Sequence, residues 1–398
     1  MNLPKIAYIS FDTVPAPKGA AIHIQAFVYA LGINFGDVQL VTVSPTTTLQ
    51  ESALIHPQVK QTKLPALGDN LIQRVIYFRR LLRLWLEGKR FDVIHIRSIY
   101  EGFVIAVNKN QYCDKLIFEV NGLPSVELKY RYPRVSEDRE LLHKLSSQEQ
   151  ICLSAADLII TPSNITATYL QQQKNIPVTK IQVIPNGVDL HTFTYRHPEN
   201  KIDIPWETLY FGTLSAWQGV NLAVEALGLI NRDITANLTI IGQAREVQIH
   251  ALKQLALKFG VADRLTVLEP MSQSDLVTKI HAANVILSPL TPSDRNLVQG
   301  CCPLKILEGM ATGVPVIASD LPVVRELGED GVDFLLVKPG SAKAIKDAVV
   351  RLYHEPELAI KLASHARQRI ITHYTWQQAG EALVNAYQEL GIKRSITV

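Results

Sequence analysis

A lysine and a glutamate three residues apart, Lys305 and Glu308, stand in the segment CCPLKILEGMATGVPVIAS (301–319). Pro303 fits the first turn of a helix, and three-residue spacing puts both ionisable groups on one helical face. Unpaired amides at a helix start, with the helix dipole behind them, suit a phosphate, and Lys305 adds a full positive charge. A carboxylate at Glu308 suits a vicinal diol such as a ribose, because it accepts two hydrogen bonds. A cation for phosphate beside an anion for ribose is the polarity of a nucleotide-diphosphate site. The same spacing also describes an ordinary intrahelical ion pair on a solvated surface, and spacing alone does not separate the two.

The elements that must position these residues alternate. Strand-length apolar runs occur at KIAYIS (5–10), VQLVTV (38–43), DVIHI (92–96), KLIFEV (115–120), DLIIT (157–161) and KIQVI (180–184). Helical patterns such as 22–32 and 71–86 lie between them, which predicts parallel sheets built from β-α-β units. After the irregular stretch 185–207 the pattern restarts with TLYFGT (208–213), LTIIG (238–242), LTVLEP (265–270), NVILSP (284–289), VPVIAS (314–319) and DFLLV (333–337). The expected fold is therefore α/β, with two Rossmann-like doubly wound domains: an N-terminal domain over 1–190 and a C-terminal domain over 191–372. Helices are expected at 342–353 and 356–371. Residues 373–398 carry a last helix whose apolar Trp376, Leu383, Ala386, Tyr387 and Leu390 must bury one face.

Composition excludes several classes. The 398 residues, 47 % hydrophobic and 19 % charged, can build large cores. A net charge of +3 from 40 basic and 37 acidic residues gives no reason to expect a nucleic-acid partner. Four cysteines, Cys113, Cys152, Cys301 and Cys302, have neither metal-ligand spacing nor a disulfide framework, which fits a reducing, cytoplasmic setting. No run reaches the roughly 18 apolar residues of a membrane span, and the opening MNLPKIAYISFDT lacks the layout of a secretory leader.

The segment CPLKILEGMATGVPVIASDLPVVRELGEDG resembles the sugar-nucleotide-binding segment of the family 4 retaining glycosyltransferases, whose two Rossmann-like domains face each other across a cleft in the GT-B arrangement. The likeness continues in AADLIITPSNITATYL (155–170), VIPNGVDLHTF (183–193), YFGTLSAWQGV (210–220) and HYTWQQAGEALVNAYQEL, in the family's order. It implies a nucleotide-diphosphate sugar held by the second domain, a saccharide or lipid-linked acceptor held by the first, and a final helix returning to the first domain. Glu308 matches the ribose-binding glutamate. The loop 299–305, with Gly300, Cys301, Cys302 and Leu304, would offer backbone amides to the diphosphate, and Gly19 would let the backbone approach the sugar phosphate closely. No further cofactor is expected, and no metal, because no Asp-x-Asp loop is present. Closure about 190–207 and the segment near His373 is expected to join the two substrates.

Departures from the family pattern are as informative. Gly300 stands where a first glutamate usually faces the donor sugar, which leaves Asp294 as a substitute. Thr213 and Gln218 occupy the places of the arginine and lysine that usually neutralise the diphosphate, so Lys305, assisted by Arg295, is expected to supply the charge. A subgroup with a PLK element before its glutamate is the closer match. Asn121 takes the place of a family histidine; it can hydrogen-bond a sugar hydroxyl but cannot shuttle a proton. Glu119 is either a second polar contact in the cleft or a strand-end residue with a structural partner.

His23 either faces the cleft or has a capping or surface role, and His95 and Arg97 end a strand at the ligand-binding pole as acceptor-side candidates. The segment 71–90, with six basic residues and one acid, is either a basic amphipathic helix for peripheral contact at the inner face of an anionic membrane or a helix packed on the sheet. The resulting expectation is a retaining, metal-independent hexosyltransferase, with Lys305, Asn121 and Glu119 in catalytic roles. Its rivals are a nucleotide-sugar epimerase or hydrolase on the same fold, and a binding protein that has kept the fold and lost turnover. The residues name neither the sugar, the base nor the acceptor.

Overall fold

Fourteen strands form two separate sheets in the computed structural model, which describes residues 3–16, 18–46, 48, 50–52, 56–198 and 205–394. Residues 1–185 and 377–398 make up one compact unit, and residues 186–376 the other.

Unit 1 contains β1 (Ile6–Ile9), β2 (Val38–Val43), β3 (Gln50–Ser52), β4 (Val59–Leu64), β5 (Phe91–Ile96), β6 (Cys113–Glu119), β7 (Leu158–Thr161) and β8 (Ile181–Val183). Their order is β3-β4-β2-β1-β5-β6-β7-β8, with every pair parallel except β3 against β4. The apolar runs of β1, β5 and β7 are buried from end to end because helices cover both faces. Strands β3 and β4 were not expected from the sequence. VKQTKL has no apolar run, and its buried Gln61 gains partners only in the fold, donating to Val14 O and Thr42 Oγ1 at 2.9 Å each.

The helix Leu71–Leu86 buries Val75, Phe78, Leu82 and Leu86 and turns Arg80 and Arg83 outward, so it packs on its own unit. Its Arg79 instead points inward, donating to the carbonyls of Tyr100 and Ile99 at 2.7 and 2.6 Å. The helix Trp376–Glu389 brings the chain back to unit 1. There Tyr387 is buried against Phe35, and a Cβ on Gly380 would lie 2.9 Å from that of Ala30, so the returning helix lies close against the helix Gly19–Phe35.

Unit 2 contains β9 (Trp206–Phe211), β10 (Ala236–Ile241), β11 (Leu265–Leu268), β12 (Val285–Ser288), β13 (Val316–Ser319) and β14 (Leu335–Val337). All are parallel, in the order β11-β10-β9-β12-β13-β14. The strand order reverses direction beside β9 in this unit and beside β1 in unit 1. In sheets of this kind, ligands bind beyond the carboxyl ends of the strands at such reversals. The expected helices Ala342–His354 and Pro356–His373 are present. Among the described residues no helix is long and apolar enough to cross a membrane.

Candidate functional site

Each sheet carries a set of polar residues at its reversal. In unit 2 the helix Leu304–Thr312 starts after Pro303, which serves as its N-cap without a side-chain capping bond. Lys305 and Glu308 lie on its buried side, 7 % and 9 % exposed, which removes the surface ion-pair reading. Lys305 Nζ lies 4.0 Å from the centre of the Tyr210 ring and makes no hydrogen bond among the described residues. Burial draws its amine down to about 7, against the attraction of Glu308. Burial likewise pushes the Glu308 carboxyl up to about 7, with Lys305 opposing. A buried lysine without a hydrogen-bonded acceptor is costly, and this one is aimed at the end of β9.

Glycines let the surrounding backbone close in. A Cβ at Gly212, just past β9 and at φ +122°, would lie 3.4 Å from Lys305 Nζ, and one at Gly242, just past β10, would lie 1.9 Å from Gly212 O. Gly219, at φ +67°, packs so tightly that a Cβ would meet Pro289 O at 1.9 Å. The loops after β9 and β12 are thereby pressed together, and the buried Asn296 amide bridges them, donating to Trp217 O at 3.0 Å and Thr291 O at 2.9 Å. Asn296 belongs to a single π-helical turn, Arg295–Gln299, that ends at Gly300 (φ +89°). Such turns recur at functional sites, and nothing in the sequence pattern announced this one.

The remaining candidates in unit 2 fall around Lys305 to different degrees. Arg295 is partly buried with its guanidinium 5.3 Å from the Trp217 ring. Gln218 Oε1 is buried without a hydrogen-bond partner among the described residues. Thr213 is exposed and contributes its carbonyl to Tyr210 Oη at 2.6 Å. Asp294 is exposed. Cys301 and Cys302 are buried and in no disulfide, Cys301 Sγ lies 3.8 Å from Asn296 Oδ1, and burial pushes the Cys302 thiol up to about 12. The carbonyl of Cys302 accepts from Asn186 Nδ2 at 2.7 Å, which anchors the approach to the helix.

In unit 1 the candidates converge on Glu119, the last residue of β6. Its Oε1 lies 2.9 Å from His23 Nε2, accepts from Arg97 Nε at 2.9 Å and is met by Asn121 Nδ2. Its Oε2 accepts from Tyr8 Oη at 2.6 Å and lies 3.2 Å from His95 Nε2. Burial opposes the charge on Glu119, but His23 and Arg97 outweigh it and hold the carboxyl well below its usual range. His95 is wholly enclosed; its Nδ1 pairs with Tyr387 Oη at 2.9 Å, and burial lowers its ring below the usual value. His23 is buried rather than at the surface, and Gly19 is the first residue of its helix rather than part of a loop.

Three members of this cluster escaped the sequence reading. Tyr8 looked like core within an apolar run. Asp12 bonds to Arg97. Glu101, within a capping box begun by Ser98, accepts from Arg97 N at 2.8 Å, Ser98 N at 2.6 Å and Phe11 N at 3.2 Å, tying together the loops after β1 and β5. Burial raises the Glu101 carboxyl to about 8.

Residues 17–192 match the family described as Glycosyltransferase Family 4, and residues 207–355 match Glycosyl transferases group 1. The chain belongs to the family 4 glycosyltransferases. This glycosyltransferase is 22 % identical to the D-inositol 3-phosphate glycosyltransferase of Xylanimonas cellulosilytica, over 98 % of both chains. Its fold is that of sucrose-phosphate synthase from Thermosynechococcus elongatus, with a TM-score of 0.82 and 20 % identity over 98 % of this chain and 99 % of that one. HepE of Anabaena, solved in complex with UDP-glucose, aligns with a TM-score of 0.73 and 16 % identity over 97 % of this glycosyltransferase and 100 % of HepE.

Proposed function

We propose that this glycosyltransferase moves a hexose, with retention and without a metal, from a nucleotide-diphosphate sugar to a saccharide or lipid-linked acceptor, and that it belongs to the subgroup with a PLK element. The observation that carries the donor assignment is the buried Lys305 amine, lacking a hydrogen-bonded acceptor, one turn from the buried Glu308 at a helix start. HepE, of the same fold, was solved with UDP and with UDP-glucose, which supports a donor of this class.

In this reading unit 2 binds the donor. Lys305 and the backbone N–H groups of Cys301, Cys302 and Leu304 hold the diphosphate, Pro303 having no N–H and that of Gly300 donating to Arg295 O at 2.9 Å, and Glu308 accepts from the ribose hydroxyls. As the bond to the anomeric carbon breaks, charge grows on the β-phosphate, and a fixed ammonium in a dry site stabilises it without reorganising. Arg295 extends the positive field, and Gln218 Oε1 is free to accept from a donor hydroxyl. Unit 1 holds the acceptor, with Glu119 fixing Arg97, His23 and Asn121; Asn121 cannot take a proton, so the departing phosphate is the base. Transfer assays over a panel of nucleotide sugars in EDTA, with the product anomer read by NMR, test this. Inverted product or abolition by EDTA contradicts it, and donor binding without turnover for any sugar favours a binding protein.

Peripheral membrane contact belongs to the same proposal. Ile72, Ile76 and Leu84 are exposed beside Arg80 and Arg83 on the helix Leu71–Leu86, the layout of a surface that meets anionic lipid. Co-sedimentation with phosphatidylglycerol vesicles is expected to fall in the variant Arg80→Glu/Arg83→Glu; unchanged sedimentation removes this contact.

A further inference from the structure

The loop after β1 sets an aspartate in front of the Glu119 cluster. Asp12 Oδ2 accepts from Ser10 Oγ at 2.8 Å and from Arg97 Nη1 at 3.1 Å, and the Asp12 carbonyl accepts from Val43 N at 2.9 Å. Its other carboxylate oxygen, Oδ1, has no hydrogen-bond partner among the described residues. The side chains of Glu119 and Arg97 are 1 % and 6 % exposed, whereas that of Asp12 is 43 % exposed. Arg97 thus faces two carboxylates, Glu119 meets His23 as well, and of these the group turned to solvent is the Asp12 carboxylate.

This arrangement sorts ligands by charge. A phosphate arriving here meets a carboxylate. Arg97 is buried and already gives Nε to Glu119 and Nη1 to Asp12, so turning it toward a phosphate disturbs bonds that the cluster holds. A hydroxyl asks for no such exchange, because it donates directly to the waiting oxygen. Lys18, exposed just before the helix Gly19–Phe35, joins none of these contacts.

We propose that Asp12 anchors the acceptor subsite of unit 1 and takes an uncharged polyol or saccharide through adjacent hydroxyls, not a phosphorylated acceptor. The inference rests on unit 1 being the acceptor-binding half, and it differs from the phosphorylated compound in the names of the inositol-phosphate relatives. Arg97 and Ser10 are positioning residues here, each acting through Asp12.

The test compares each neutral compound with its monophosphate: myo-inositol with inositol 3-phosphate, and glucose with glucose 6-phosphate. Binding to the full chain is read by saturation-transfer NMR with and without UDP. The neutral member is expected to bind at least about tenfold more tightly. Asp12→Asn should weaken it by about tenfold and strengthen the monophosphate, while the thermal shift given by UDP stays unchanged. A monophosphate preferred by the native chain, neither member binding up to its solubility, or an Asp12→Asn variant indistinguishable from native overturns the proposal. Failure of UDP to bind at all overturns the donor assignment instead, and leaves the neutral-against-phosphate comparison standing by itself.

Discussion

Lys305 and Glu308 share one buried turn of a helix without forming an ion pair within 4.0 Å, and among the described residues Lys305 Nζ has an aromatic face but no hydrogen-bond acceptor. Each charge is desolvated with little return, so the pair adds little to the stability of the fold. Stability and the proposed donor binding therefore pull in opposite directions at this turn.

The first prediction follows from that opposition. Lys305→Met removes a buried amine that has no hydrogen-bonded acceptor among the described residues and is expected to raise the stability of the ligand-free protein while weakening nucleotide-diphosphate binding by about 100-fold. Urea unfolding and calorimetric titration with UDP measure the two effects. A variant that loses stability and keeps its affinity rules out the proposed role.

The pH dependence of stability has a defined sign. The folded Lys305 amine titrates near 7 against an ordinary 10.5, so the folded protein binds fewer protons than the unfolded chain between those values, and stability rises across that window. The folded Glu308 carboxyl titrates near 7 against 4.5, so the folded protein binds more protons there, and stability falls from pH 4.5 to 7. Melting temperatures across pH should show a dip near neutrality. Lys305→Met should remove the alkaline limb and Glu308→Gln the acid limb; unaltered profiles in both contradict the burial argument.

Glu119 behaves oppositely. Its carboxyl is held below the ordinary 4.5, so it contributes stability above that value that is lost as pH falls through the folded value. Glu119→Ala strips Arg97 and Tyr8 of a shared acceptor and is expected to cost about 3–5 kcal/mol, and to narrow the acid-unfolding difference from native. Equal acid-unfolding midpoints would dismiss it as a structural keystone.

Gly242→Ala tests the packing behind Lys305. Its Cβ would fall 1.9 Å from Gly212 O, and the backbone at Gly212 must shift to admit it. The expected loss is about 1–3 kcal/mol of stability together with weaker donor binding, read by thermal unfolding with and without UDP. Unchanged behaviour on both counts would show that this approach does not position the lysine.

Much of this was legible in the sequence, for identifiable reasons. Apolar runs such as VIHI and LIIT announce parallel strands by themselves, and the spacing in PLKILEG puts its lysine and glutamate on one helical face, but only the fold shows that face to be buried. The Glu119 cluster was not legible as a unit. His95 and Tyr387 are 292 residues apart, and Tyr8, Asp12, Arg97 and Glu119 come from or just follow three different strands that only the sheet order makes neighbours. Strand β4 was missed because its polar Gln61 and Lys63 are buried by tertiary partners that no local pattern encodes.

The most direct test of the central claim is a thermal-shift screen of the purified chain against nucleotide-diphosphate sugars, repeated with Lys305→Ala and Glu308→Ala. A bound donor raises the melting temperature by mass action. The account predicts a ligand-induced shift for at least one donor that both substitutions abolish, whatever they do to the unliganded protein. A shift that survives both substitutions, or no shift with any donor, contradicts it.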